Sequence, residues 1–132
     1  MNEMLDDKLG NFSKSLIKLE KALKETGYAL SIDGTLQRFE FTFEMAWKAL
    51  KKFLLIEGYD CFSPRDCIKK AYQSGYIENE KEWLDMMKDR NLTSHLYDEK
   101  LAGDIYKRVK NIYVFNFEKL ENFLKNRILE LK

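Results

Sequence analysis

Leu36-Gln37-Arg38-Phe39-Glu40-Phe41-Thr42-Phe43-Glu44-Met45-Ala46-Trp47-Lys48-Ala49-Leu50 is the most informative run in the chain. At about 100° per residue, Leu36, Phe39, Phe43, Ala46, Trp47, Leu50 and Leu54 share one face of a helix. Phe41, Met45, Ala49 and Ile56 form a second stripe on roughly the opposite side. A helix that is apolar on two sides either lies centrally in a small bundle or offers its second stripe to another chain. Both readings stand at this point. Ser31 or Asp33 supplies the N-cap, and Glu57 before Gly58 closes the helix.

The flanking segments read the same way. Leu5, Leu9, Phe12, Leu16, Leu19 and Leu23 recur at three- and four-residue spacing, which predicts a first helix from Glu3 to Glu25 with Gly27 as its stop. Ser63-Pro64-Arg65-Asp66 combines an N-cap serine, proline at the first helical position and acid in the first turn. That third helix is short and ends near Gly75. Asn79-Glu80-Lys81-Glu82 opens a fourth helix through Trp83 and Met87 as a variant of the capping box. Asp98-Glu99 starts a long last helix, Glu99 to Leu129. Its inward arc is Leu101, Ile105, Val109, Ile112, Tyr113, Leu120 and Phe123, with Val114 and Phe115 pointing away. Short connections make neighbours antiparallel. The expectation is an all-α, up-and-down antiparallel bundle of about five helices, forming a single domain over 1–132.

Composition agrees. Among 132 residues there are one proline and six glycines, too few for a sandwich or barrel with many tight turns. Hydrophobic residues make up 45% and charged residues 34%, enough for a core under a charged surface, so disorder is excluded. Twenty-three basic against 22 acidic side chains leave a net charge of +1, which argues against holding nucleic acid by bulk electrostatics. No apolar run approaches the ~18 residues of a membrane span. The acidic start, Met1-Asn2-Glu3-Met4-Leu5-Asp6-Asp7, is unlike a signal peptide, and a cytoplasmic location is expected. Cys61 and Cys67 have neither CxxC spacing nor a nearby histidine, and read as two reduced thiols.

Few groups are available for chemistry. His95 is the single histidine, the glycines are isolated from one another, and the carboxylates sit at helical surface spacing. No catalytic triad, phosphate loop or metal-ligand cluster is legible, so neither a metal nor another cofactor is expected. What remains is Arg90-Asn91-Leu92-Thr93-Ser94-His95-Leu96-Tyr97 at the end of the fourth helix. Arg90 lies within about 20° of Trp83 on a helical projection, which puts a guanidinium beside the apolar stripe. Such a group needs a cleft, an acid or an interface. Glu40 and Glu44, at the edge of the second helix's stripe, could pair with it across the bundle. His95 is about 140° from Arg90 on a regular helix. Thr93 and Ser94, poor helix formers, can loosen that turn and let the imidazole fold back. Arginine with histidine suits metal-independent phosphodiester chemistry, in which guanidinium holds phosphate and imidazole moves protons near neutral pH. Lys100, Lys107 and Lys110 lie near one face of the last helix. They could guide RNA, although Asp104 and Glu118 among them favour a solvated face.

Arg90-x4-His95-x-Tyr97 resembles the RX4HXY motif of the HEPN superfamily. Arg38-Phe39-Glu40-Phe41-Thr42-Phe43-Glu44-Met45-Ala46-Trp47-Lys48, Ser63-Pro64-Arg65 and Ala71-Tyr72-x-x-Gly75 resemble its branch of nucleotidyltransferase substrate-binding subunits. The similarity runs from about Leu16 to Phe123. It implies an all-α homodimer with the two motif helices around a shared cleft. It also implies a minimal nucleotidyltransferase, encoded nearby, as partner. Under one implied role the chain presents substrate to that enzyme. Under the other it is an endoribonuclease toxin acting on RNA and silenced by the transferase. Arg90 would then bind phosphate and His95 act as acid and base. Asn91 would orient the site, and Tyr97 would accept a modification. Each has a plain structural alternative: Tyr97 packing on the last helix, Asn91 ending its helix, and Glu40 or Glu44 merely neutralising Arg90.

Overall fold

A computed structural model of the chain describes residues 2–25, 29–93 and 98–131. All regular structure among them is helical: α1 (Asn2–Lys24), α2 (Ala29–Ile56), α3 (Pro64–Gln73), α4 (Glu80–Thr93), α5 (Glu99–Arg108) and α6 (Val114–Leu131). A π-helical segment, Val109–Tyr113, joins α5 to α6, so these make one interrupted rod and five helical columns in all. The all-α bundle expected from periodicity is present. The second helix begins at Ala29, ahead of both proposed caps. Gly27, the expected stop of the first helix, lies outside the described residues.

Local chemistry explains most of the helix ends. The Asp66 amide donates to the Ser63 hydroxyl at 3.1 Å, with Pro64 in the first turn where its missing N–H costs nothing. The Glu82 amide donates to the Asn79 side-chain carbonyl at 3.0 Å, and the amides of Lys100 and Leu101 donate to Asp98. At Gly58 and Gly75, φ is +95° and +79°. Each glycine closes its helix in a Schellman turn: Tyr59 N–H donates to the Leu54 carbonyl and Tyr76 N–H to that of Ala71, both at 2.8 Å.

α2 is the central element. Leu36, Phe39, Phe43, Ala46, Ala49, Leu50, Phe53 and Leu54 are all buried, whereas Phe41 is 53% exposed. The second stripe is therefore split: Ala49 joins the core, Met45 and Ile56 are half-buried, and Phe41 faces outward. α1 runs antiparallel along α2. The Thr42 hydroxyl meets the Ser15 carbonyl at 3.2 Å, while Ser31 faces the far end of α1 near Glu25. Phe39 stacks on Tyr113 and Phe117 packs edge-on to Phe12 and Trp83, tying four columns together. A second aromatic group, Phe53, Tyr76 and Phe123, lies under the Arg127 guanidinium.

Two expectations are corrected. Val114 is buried rather than outward-facing, because the π segment inserts one extra residue into the rod. The Val114 amide reaches back five residues to the Val109 carbonyl. The face beyond the insertion is therefore displaced, bringing Val114 and Phe117 inward and leaving Phe115 53% exposed. Cys61 and Cys67 form a disulfide, with S–S 2.06 Å and Cα atoms 5.2 Å apart, instead of two free thiols. The capped start of α3 folds the 61–63 loop back onto the first helical turn, which sets Cys67 beside Cys61.

Candidate functional site

The C-terminal turn of α4 lies against the middle of α2, because Trp83, Met86 and Met87 are buried on the face that meets it. This packing carries Arg90 to Glu44: Nη2 donates to Oε2 at 2.9 Å. Glu44 also accepts an ion pair from Lys48 at 3.5 Å through its other oxygen. Two cations thus share one carboxylate, and the Arg90 fork is held end-on rather than by a bidentate clasp. Nη1 of Arg90 reaches the Asn91 side-chain oxygen at 3.4 Å, while Nε is buried without a hydrogen-bond partner. The arginine side chain remains 37% exposed.

Glu40, one turn before Glu44, takes a different partner. The Thr93 hydroxyl lies between the Glu40 carboxylate and the Arg90 carbonyl, and its single proton serves one of them at a time. Of the two acids singled out from sequence, Glu44 pairs with Arg90 and Glu40 secures the last described turn of α4. Asn91 is exposed and oriented by its arginine neighbour. His95 and Tyr97 lie outside the described residues. Lys100, Lys107 and Lys110 are all exposed. No group of three or more histidine, cysteine, aspartate or glutamate side chains able to hold a metal ion occurs among the described residues.

Sequence reasoning missed the network directly behind this cluster. Asp89 is only 6% exposed. It accepts Nε and Nη2 of Arg108 at 2.7 and 3.0 Å, a bidentate pair, and the Tyr113 hydroxyl as a third donor. Burial and the facing Asp89 carboxylate both push the Tyr113 phenol well above the usual tyrosine range. The hydrogen bond to Asp89 likewise strengthens the hold of Arg108 on its proton. Asp89 precedes Arg90 in the chain, so this network pins the backbone from which Arg90 projects. The only cue in sequence is an acid three residues after Met86 on a buried face. Its partners, Arg108 and Tyr113, sit 19 and 24 positions further on, and only the packing of α4 against the α5–α6 rod brings them to Asp89.

The cluster can grip an anion with Arg90 and Asn91 while the acids of α2 fix their direction. Comparison with known proteins agrees with the helical scaffold. A crystal structure of a Thermus thermophilus protein superposes with a TM-score of 0.75 at 32% identity, covering 89% of this chain and 98% of that one. A Haemophilus influenzae protein, described as showing the fold of a substrate binding domain of a nucleotidyltransferase, gives 0.68 at 21% identity over 95% and 99%. A tri-AMPylated Shewanella oneidensis HEPN toxin, solved in complex with MNT antitoxin, gives 0.78 at 17% over 96% and 99%. The last two show the shared fold. Among curated proteins, "Probable ribonuclease HepT" of Haemophilus influenzae is 27% identical over 88 residues, which span 63% of this chain and 60% of that protein. Residues 7–126 match the family described as "Nucleotidyltransferase substrate binding protein like", and the chain is a member of that family.

Proposed function

We propose that this chain is the helical partner subunit of a minimal nucleotidyltransferase, acting as a homodimer that helps bind or present the transferase's substrate. The observation that carries this reading is the family match across residues 7–126, which takes in every element that builds the Arg90–Glu44 cluster. The solved complex of a HEPN toxin with an MNT antitoxin supports the same pairing. Coexpression with the nucleotidyltransferase encoded beside it should yield a stable complex. Separate elution of the two chains overturns the reading.

A second reading is a metal-independent endoribonuclease restrained by that partner. It is favoured by the similarity to a probable ribonuclease and by an arginine that is aimed yet over a third exposed. Arg90 would hold the phosphate and Asn91 would orient it. His95 would take the proton of a 2′-hydroxyl as the 2′-oxygen bonds to phosphorus, or return one to the leaving 5′-oxygen as that P–O bond breaks. Tyr97 would be the site at which the transferase silences the activity. RNA cleavage in EDTA, lost in both Arg90→Ala and His95→Ala, supports this role. Equal inertness of wild type and variants removes it.

A further inference from the structure

A second polar site lies on the opposite edge of α2 from Glu44. Where α1 and α2 meet toward their connected ends, a cleft of about 470 Å³ opens beside Lys18, Lys21 and Arg38, with Glu25 as the single acid on its wall. A further space of about 360 Å³ adjoins it, sharing Lys18 and Arg38 and ending on Phe41 and Met45. Together they make a trough that is cationic at one end and aromatic at the other.

Four features distinguish this trough from an ordinary solvated face. Lys18, Lys21 and Arg38 are exposed, and among the described residues none has an acidic side chain within ion-pair distance, unlike Lys48, Lys70 or Lys125. Thr35, fully buried against the cationic end, has a hydroxyl with no hydrogen-bond partner. Gly34 leaves open space there: an added Cβ would meet nothing within 4 Å. Phe41, 53% exposed, is a large aromatic left in water at the other end.

We propose that this trough binds a nucleoside triphosphate, with the phosphates held by Lys18, Lys21 and Arg38 and the base lying against Phe41. Three cations at one end match a polyphosphate, and an aromatic face beside them matches a base of any identity. The combined volume falls in the range of small-ligand clefts. A nucleic-acid strand fits less well, because its backbone needs a cationic track along the surface. Here only three cations line the trough, two of them where its two spaces join, and the chain's net charge is only +1. The inference extends the substrate-presenting role proposed above. It is tested on the purified full chain without a partner enzyme, so failure of nucleotide binding and failure of partner binding read out separately.

The experiment is calorimetric titration with ATP, with inorganic triphosphate and with a single-stranded RNA oligomer. ATP should saturate with a Kd below about 1 mM and weaken as salt is raised. Arg38→Gln and Lys18→Gln should each weaken ATP at least about fivefold. Phe41→Ala should weaken ATP by about fivefold or more while leaving inorganic triphosphate unchanged. Lys119→Gln, which removes a distant surface charge paired with Glu78, should change neither. The proposal is overturned if ATP does not saturate, if Arg38→Gln and Lys18→Gln bind ATP like wild type, or if only RNA binds.

Discussion

Replacing Asp89 by alanine tests the network that positions Arg90. The carboxylate is 6% exposed and holds three donors, two from Arg108 and one from the Tyr113 hydroxyl. Breaking a buried pair by removing one partner costs roughly 3–5 kcal/mol. The Arg108 side chain is 38% exposed and recovers water, whereas Tyr113 is 1% exposed and its hydroxyl is stranded. The lower end of that range, about 3 kcal/mol, therefore applies. At roughly 2.1 cal/mol/K of unfolding entropy per residue, a chain of 132 residues should lose about 11 °C in Tm. Tyr113→Phe alone should cost about 1 kcal/mol. In the Asp89→Ala background the same change removes a stranded donor and should cost nothing. Thermal and denaturant unfolding of the four proteins close the cycle, with an expected coupling of about 1 kcal/mol. If Asp89→Ala lies within about 0.5 kcal/mol of wild type, or the two losses simply add, the network does not fix the end of α4.

Glu20 faces Glu118 from α1 to α6, and their shared proton raises the Glu20 carboxyl from 4.5 to about 7. The folded state holds that proton more tightly than the unfolded chain, so this contribution to stability is fully present below pH 4.5 and is lost as pH rises through about 7. Glu20→Gln should therefore match wild type near pH 4 and be more stable at pH 8, by about 1 kcal/mol or less given solvent screening. A constant difference across that range rejects the pairing. Arg90→Ala should cost at most about 1 kcal/mol of stability, since both ends of its ion pair are partly exposed, while abolishing whichever activity the site carries. A large loss of stability would mark the pair as structural. Reduction of Cys61–Cys67, separated by six positions, should cost roughly 2 kcal/mol by loop-closure entropy. Two free thiols in the unreduced, unfolded protein would show that the bond does not form.

Much of the architecture follows from patterns of four or five residues. Ser63-Pro64 and Asn79-Glu80 cap α3 and α4 where hydroxyl and amide chemistry places them, and Gly58 and Gly75 stop their helices through positive φ. Helical periodicity identified the core of α1 and most of the core of α2. Periodicity assumes a constant pitch, so it turned Val114 outward and missed Phe117, both of which the π segment brings into the core. A bulge of that kind is stabilised by what surrounds it, here Phe39 stacked on Tyr113 and Asp89 receiving its hydroxyl, so no local pattern marks it.

The candidate site divides along the same line. Arg90 and its possible acids were legible because a charge beside an apolar stripe must find an opposite charge, and the chain offered Glu40 and Glu44 within reach. Which acid it takes was not legible. One helical turn separates the two, and the choice depends on how far α4 has slid along α2, which is set by Trp83, Met86 and Met87 seating in the core. The trough beside Arg38 shares that origin. It depends on the distance between two whole helices, and such a distance arises only when many side chains pack at once. Helix identity and helix ends are properties of neighbouring residues, because backbone hydrogen bonds and caps span no more than a few positions. Partner choice across the bundle is a property of packing, because it is fixed by the sum of contacts along whole helix faces.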